Sequence, residues 1–153
     1  MTINLDCING YLDAMRCLNV GPNHCCNYMI TLLDNKGDFT QTLAHYFQSI
    51  PNGQGKYFDA ALWHISPKQI TVDEFIHQID KWFFNQNYSP TVHQENGNSA
   101  TLGFLDTLSP IALTKCYLYE IKTIPPIWYA TRWSDLLLAH HENYYLLHFD
   151  LDD

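Results

Sequence analysis

The sequence predicts an α+β fold, a single globular domain spanning 1–153 in which a mainly antiparallel sheet has helices packed on one side. Three observations carry that expectation. The closing run YYLLHFDLDD alternates residue by residue, which is the period of a strand with two unlike faces. Residues 3–19, 39–50 and 72–83 repeat apolar positions every three or four residues, which is the period of a helix. With 153 residues, one core suffices to bury roughly two thirds of the surface that the unfolded chain would expose.

Leu5, Ile8, Leu12, Met15 and Leu18 set the first helix, with Thr2 as its cap and Gly21-Pro22 as its stop. Asn9-Gly10 works against it, because that pair also favours a hairpin turn. YMITLL, from Tyr28 to Leu33, reads as a strand closed by the turn formers Asp34 to Asp38. A second helix carries Phe39, Leu43, Tyr46, Phe47 and Ile50 until Pro51 stops it. YFDAALWHIS, from Tyr57 to Ser66, is expected to be a buried strand bounded by Pro67.

Thr71-Val72-Asp73-Glu74 is a capping box, and it opens a helix with Phe75, Ile76, Ile79, Trp82 and Phe83 on one face. From Asn85 to Thr101 the apolar period disappears, so a surface loop or a hairpin around Asn96-Gly97 is expected. Residues 113–153 concentrate aromatic and apolar side chains and should supply the central strands. Tyr117, Tyr119 and Ile121 alternate with Leu118, Glu120 and Lys122, and Pro125-Pro126 ends that strand. Trp128 to Trp133 reads as another strand, after which Ser134 caps a short helix through Leu136, Leu137 and Leu138. In the final strand Tyr145, Leu147, Phe149 and Leu151 form a buried face, which leaves Tyr144, Leu146, His148, Asp150 and Asp152 as an acidic one.

Hydrophobic residues make up 46% of the chain and charged residues 16%, against roughly 25% charged in an average soluble protein, which excludes disorder. Sixteen Asp and Glu against eight Lys and Arg give a net charge of −8, a field that repels nucleic acid and anionic membranes and admits a basic partner. No apolar run approaches the roughly 20 residues of a membrane span. The start, TINLDCING, carries an acid where a leader would be basic and apolar, and five cysteines are an odd number. A cytoplasmic protein with reduced thiols, a monomer or weak dimer, is the expectation.

No motif assigns catalysis. His24-Cys25-Cys26 and His140-His141 lack the spacing that converges on one tetrahedral zinc ion. Gly55-Lys56 fails as a phosphate-binding loop, because Tyr57 stands where Ser or Thr must ligate magnesium and Ile50 where the first Gly belongs. No Gly-x-Ser-x-Gly elbow exists, and no basic neighbour activates Cys25. Catalytic residues, metal and cofactors are therefore all expected to be none, and the protein is not expected to be an enzyme.

What stands out is a surface of aromatics mixed with acids: Tyr144, His148, Asp150, Asp152 and Asp153, with Glu120, Asp135 and Glu142 near them in sequence. Aromatics anchor contacts and carboxylates steer a basic partner. An ordinary solvated strand face with a charged terminus is the plainer reading of the same residues. With Trp128-Tyr129, Trp133 and the closing YYLLHFDLDD, this acidic chain resembles the immunity proteins of bacterial contact-dependent growth inhibition and related polymorphic toxin systems. The resemblance implies a stoichiometric inhibitor that blocks a cognate, basic, nuclease-type toxin domain. Two alternatives are a dimeric chaperone of a secreted effector and a small Cys/His-dependent enzyme.

Overall fold

The computed structural model describes residues 3–20, 25–84 and 94–152, with 94–98 as backbone alone. Among the described residues, four α-helices pack on a five-stranded sheet in one α+β domain, and every pairing in the sheet is antiparallel. The strand order is β1-β5-β4-β3-β2, with β1 at Cys25–Leu32, β2 at Ser66–Ile70, β3 at Tyr117–Lys122, β4 at Arg132–His140 and β5 at Asn143–Asp152. The expected fold class is thus the one found, and strands from the last part of the chain occupy its centre.

Helix α1, Leu5–Asn19, buries Ile8, Leu12 and Met15 along one stripe. Its cap is Asn4, whose side chain accepts from the Cys7 amide at 3.1 Å; Thr2, Gly21 and Pro22 lie outside the described residues. Asn9 makes no turn. Its side-chain nitrogen donates to the Ile30 carbonyl at 3.0 Å, and the Ile30 amide donates back to its side-chain oxygen at 2.8 Å. One side-chain amide thereby pairs with the open edge of β1 as a neighbouring strand would, which blocks that edge to other chains. At the opposite edge, Pro67 lies within β2, where its missing N–H is tolerated because only β3 lies alongside.

The stretch from Tyr57 to Ser66 corrects the expected strand. It contains a 3-10 helix at Ala60–Trp63 that turns Trp63 into the core, and strand pairing starts only at Ser66. The capping box is formed as expected: the Thr71 hydroxyl accepts from the Glu74 amide at 3.1 Å and Glu74 accepts from the Thr71 amide at 2.8 Å. Helix α3, Val72–Phe84, follows it.

Helix α4, Gln94–Thr107, corrects the expectation of a loop or hairpin over the described part of 85–101; residues 85–93 lie outside. Asn96-Gly97 is inside the helix. Packing outweighs the poor local propensity, because Thr101, Phe104 and Leu108 are buried at helical spacing and Phe104 meets Tyr11 at 6.1 Å and Phe83 at 5.7 Å. The Thr101 hydroxyl also donates to Asp80 of α3.

Leu136, Leu137 and Leu138 form no helix after Ser134. They lie in β4 between β3 and β5, and the expected strand at Trp128 to Trp133 begins only at Arg132. An unbroken apolar run suits a strand covered on both faces. Leu136 and Leu138 join Ile8, Leu12, Phe75, Ile79, Phe83, Phe104, Leu147 and Phe149 in the larger core, beneath α1, α3 and α4. Leu137 joins Ile121 and Leu146 on the other face, against Trp63 and against Leu43 and Phe47 of α2, Phe39–Gln48. Three helices therefore share one side as expected, while α2 and the 3-10 helix add a smaller layer on the second. No helix among the described residues is long and apolar enough to cross a membrane.

Candidate functional site: a histidine held between two carboxylates

The register of β4 and β5 sets Asp135 directly opposite His148, and the two-residue period of β5 puts Asp150 on the same face as His148. His148 Nδ1 lies 2.6 Å from Asp135 Oδ1, and its Nε2 lies 2.9 Å from Asp150 Oδ2. Ionised carboxylates only accept, so both ring nitrogens must donate and the ring is an imidazolium. Burial is the largest single influence on His148 and opposes its charge. The hydrogen bonds and charges of Asp135 and Asp150 together outweigh it and raise the pKa from 6.5 to about 9.

The remaining carboxylate oxygens are also satisfied. The Tyr129 hydroxyl donates to Asp135 Oδ2 at 3.1 Å, and the Asn27 backbone and side-chain nitrogens donate to Asp150 Oδ1 at 3.1 and 2.9 Å. Burial, and then the Asp135 charge, push the Tyr129 phenol far above its ordinary pKa, so it stays a donor. Nearby, Asp152 accepts from the Thr131 amide at 3.0 Å.

The expected exposed acidic face is therefore corrected at its centre: Asp135 is 0% exposed, and His148 and Asp150 are 8% exposed. The reason is the second layer, since Tyr129 and the connection before β4 cover that part of the sheet. Glu120 lies on the α3 side of the sheet, 3.9 Å from Lys122, and is apart from this group. Glu142 is exposed in the turn between β4 and β5, where its carbonyl accepts from the Asn35 side chain at 2.7 Å. Tyr144 is half-buried near Phe39, at a ring distance of 6.5 Å. Asp153 lies outside the described residues. Sequence reading missed Tyr129 and Asn27, whose parts depend on a coil and on a strand register that no local pattern announces.

This arrangement holds a charge and leaves no group to act as a base. A histidine that abstracts a proton needs one free ring nitrogen and a pKa near the working pH, and His148 has neither. The buried Cys26 thiol is raised to about 11, chiefly by burial, and burial also raises Cys116, so neither is an activated nucleophile. Among the described residues no group of three His, Cys, Asp or Glu side chains is placed to hold a metal ion, and His24 lies outside them.

The raised pKa of His148 makes stability depend on pH. Because the folded state binds this proton more tightly than the unfolded state, the contribution is complete below pH 6.5 and is lost as pH rises through about 9. A loss on the order of 2–4 kcal/mol is expected across that window, measured by urea unfolding at a series of pH values. Above it Cys26 adds to the decline. His148→Gln should flatten the slope between pH 6.5 and 9; an identical slope in the variant would show that another group titrates.

No protein-family model matches the sequence, and no curated protein matches it. Solved structures do match. A crystal structure of citrus MAF1 in space group C 2 2 21 aligns over 98% of this chain and 99% of that chain, with a TM-score of 0.54 and 13% identity. A second, in space group P 31 2 1, aligns over 97% and 98%, with a TM-score of 0.55 and 12% identity. This match overturns the expected resemblance to immunity proteins, together with the toxin-neutralising function and the toxin partner drawn from it. Acidity and aromatic content are properties that unrelated folds share, and they do not identify a family. Over nearly the full length of both chains, this protein is similar in fold to citrus MAF1.

Proposed function

We propose that this chain is a non-catalytic regulator of the MAF1 type that works inside the cell by binding RNA polymerase III. The observation that supports it is the near-complete alignment of both chains, over 98% of this one and 99% of the other. The step from fold to function is one of analogy. The closed hydrogen-bonding of His148 agrees with it, since a regulator that acts by contact needs no base or nucleophile. Glu142, Tyr144 and Asp152 contribute to the contact surface, while Asp135, His148 and Asp150 hold β4 and β5 in place beneath it. A net charge of −8 suits a partner whose nucleic-acid channel is positive, and association should slow as salt rises.

The test is to mix the full chain with purified RNA polymerase III and to measure binding and transcription together. Saturable binding that weakens with salt and alters transcription is the expected result. Absence of binding at micromolar concentration and low salt would sink the reading.

A further inference from the structure

The two edges of the sheet are finished differently. At β1 the Ile30 amide and carbonyl turn outward and are taken by the Asn9 side chain. Carried across the sheet through its four registers, that alternation turns the backbone groups of Ser66, Lys68 and Ile70 toward β3 and those of Pro67 and Gln69 outward. Pro67 has no N–H to offer there, but its carbonyl and both backbone groups of Gln69 remain. Among the described residues none bonds to these three groups, and four of the five β2 residues are exposed.

This open edge runs between two clefts, one on each face of the sheet. On the α2 side a cleft of about 360 Å³ is lined by Phe39, Leu43, Ala44, Ala61, Ile65 and Pro67; the alanines leave it room, and the buried Leu43 is its floor. On the α3 side a cleft of about 400 Å³ is lined by Lys68, Asp73, Glu74, His77 and Glu120. Three carboxylates against one ammonium make the second cleft negative. Glu74 gives one oxygen to the Thr71 amide, and Glu120 is 3.9 Å from Lys122, beyond hydrogen-bond reach, so both carboxylates keep acceptor capacity.

We propose that an extended peptide segment adds antiparallel to β2, with a basic residue opposite Ile70 and an aliphatic one opposite Pro67. Directly opposed residues of an antiparallel pair put their side chains on the same face, so the residue opposite Pro67 enters the apolar cleft and the one opposite Ile70 reaches the acidic cleft. The residue opposite Gln69 exchanges both backbone hydrogen bonds with it. Main-chain bonds supply the affinity, and the two clefts select a basic residue three positions before an aliphatic one. The net charge of −8 favours such a basic segment. The site does not depend on the regulator reading, because its binding is measured without any polymerase.

The experiment follows the backbone amide signals of the full chain by two-dimensional NMR during titration with the end-blocked peptide Thr-Lys-Val-Thr-Leu-Thr. Saturable shifts centred on Lys68, Gln69 and Ile70 are expected. Methylating the valine nitrogen removes the donor to the Gln69 carbonyl and should weaken binding about tenfold or more. Methylating the nitrogen of the threonine that follows, which faces away from β2, should leave binding within about twofold. Ala61→Trp fills the apolar cleft from its exposed rim and should weaken binding about tenfold with an unchanged unfolding midpoint, as should alanine in place of the peptide leucine. Asp73→Lys should weaken binding of this peptide and strengthen binding of one with glutamate in place of its lysine.

No saturable shift in β2, or equal weakening by either methylation, would overturn the strand addition. Equal binding of the lysine and glutamate peptides by the parent chain would overturn the acidic contact. Undiminished binding both in Ala61→Trp and with the alanine peptide would overturn the apolar one.

Discussion

Asp135→Ala should destabilise the fold by about 3–5 kcal/mol, the usual cost of removing one partner from a buried ion pair. Asp135 is fully buried, and its loss leaves the His148 imidazolium with one carboxylate and Tyr129 without its acceptor. Urea unfolding at pH 7 measures the effect as a lower midpoint. The same variant should bring the His148 pKa down, which NMR titration of the ring would detect, because Asp135 is among the groups that raise it. A midpoint change worth less than about 1 kcal/mol would show that the group is not the structural clamp its geometry describes. Replacing Asp135, His148 and Asp150 together by apolar residues of similar volume should cost far less than the single change, since no charge is then left buried without a partner.

Phe149→Ala should cost about 3–5 kcal/mol, the range for truncating a large aromatic in a core. Phe149 is fully buried in β5, an interior strand between β1 and β4. Its ring is stacked on Trp82 and is met edge-on by Tyr28 at 5.1 Å and Phe83 at 6.3 Å. Each aromatic pair adds about 0.5–1.5 kcal/mol beyond the area it buries. Total stability for a domain of this kind is about 5–15 kcal/mol, so the variant should unfold at low urea or be partly unfolded without it. Phe149→Leu restores most of the volume and should recover more than half of the loss; equal instability in both variants would point to ring stacking in place of volume.

Much of this fold was legible because its signals are local. The stripe of α1, the capping box of α3 and the alternation of β5 each lie within one turn or a few residues, where sterics and hydrogen bonding act directly on neighbours. The misreadings share one cause, which is that tertiary packing chose between locally balanced options. Ala60–Trp63 became a 3-10 helix because Trp63 had a core to enter, and Leu136 to Leu138 became strand because both faces of β4 were covered. Gln94–Thr107 became helix because Phe104 and Leu108 had α1 and α3 to pack on.

The candidate site shows the same division within one strand. By itself the sequence determined that Tyr145, Leu147, Phe149 and Leu151 lie on one face of β5 and that His148 and Asp150 share the other, since a two-residue period follows from backbone geometry alone. Only the tertiary structure decided that this second face is interior. That outcome required α2, Trp63 and Tyr129, which are distant along the chain, to be brought over the sheet, and it required the β4 register that sets Asp135 against His148. Two carboxylates that water would otherwise have screened were thereby buried against one imidazolium, and a face that sequence alone marks as acidic became a structural clamp.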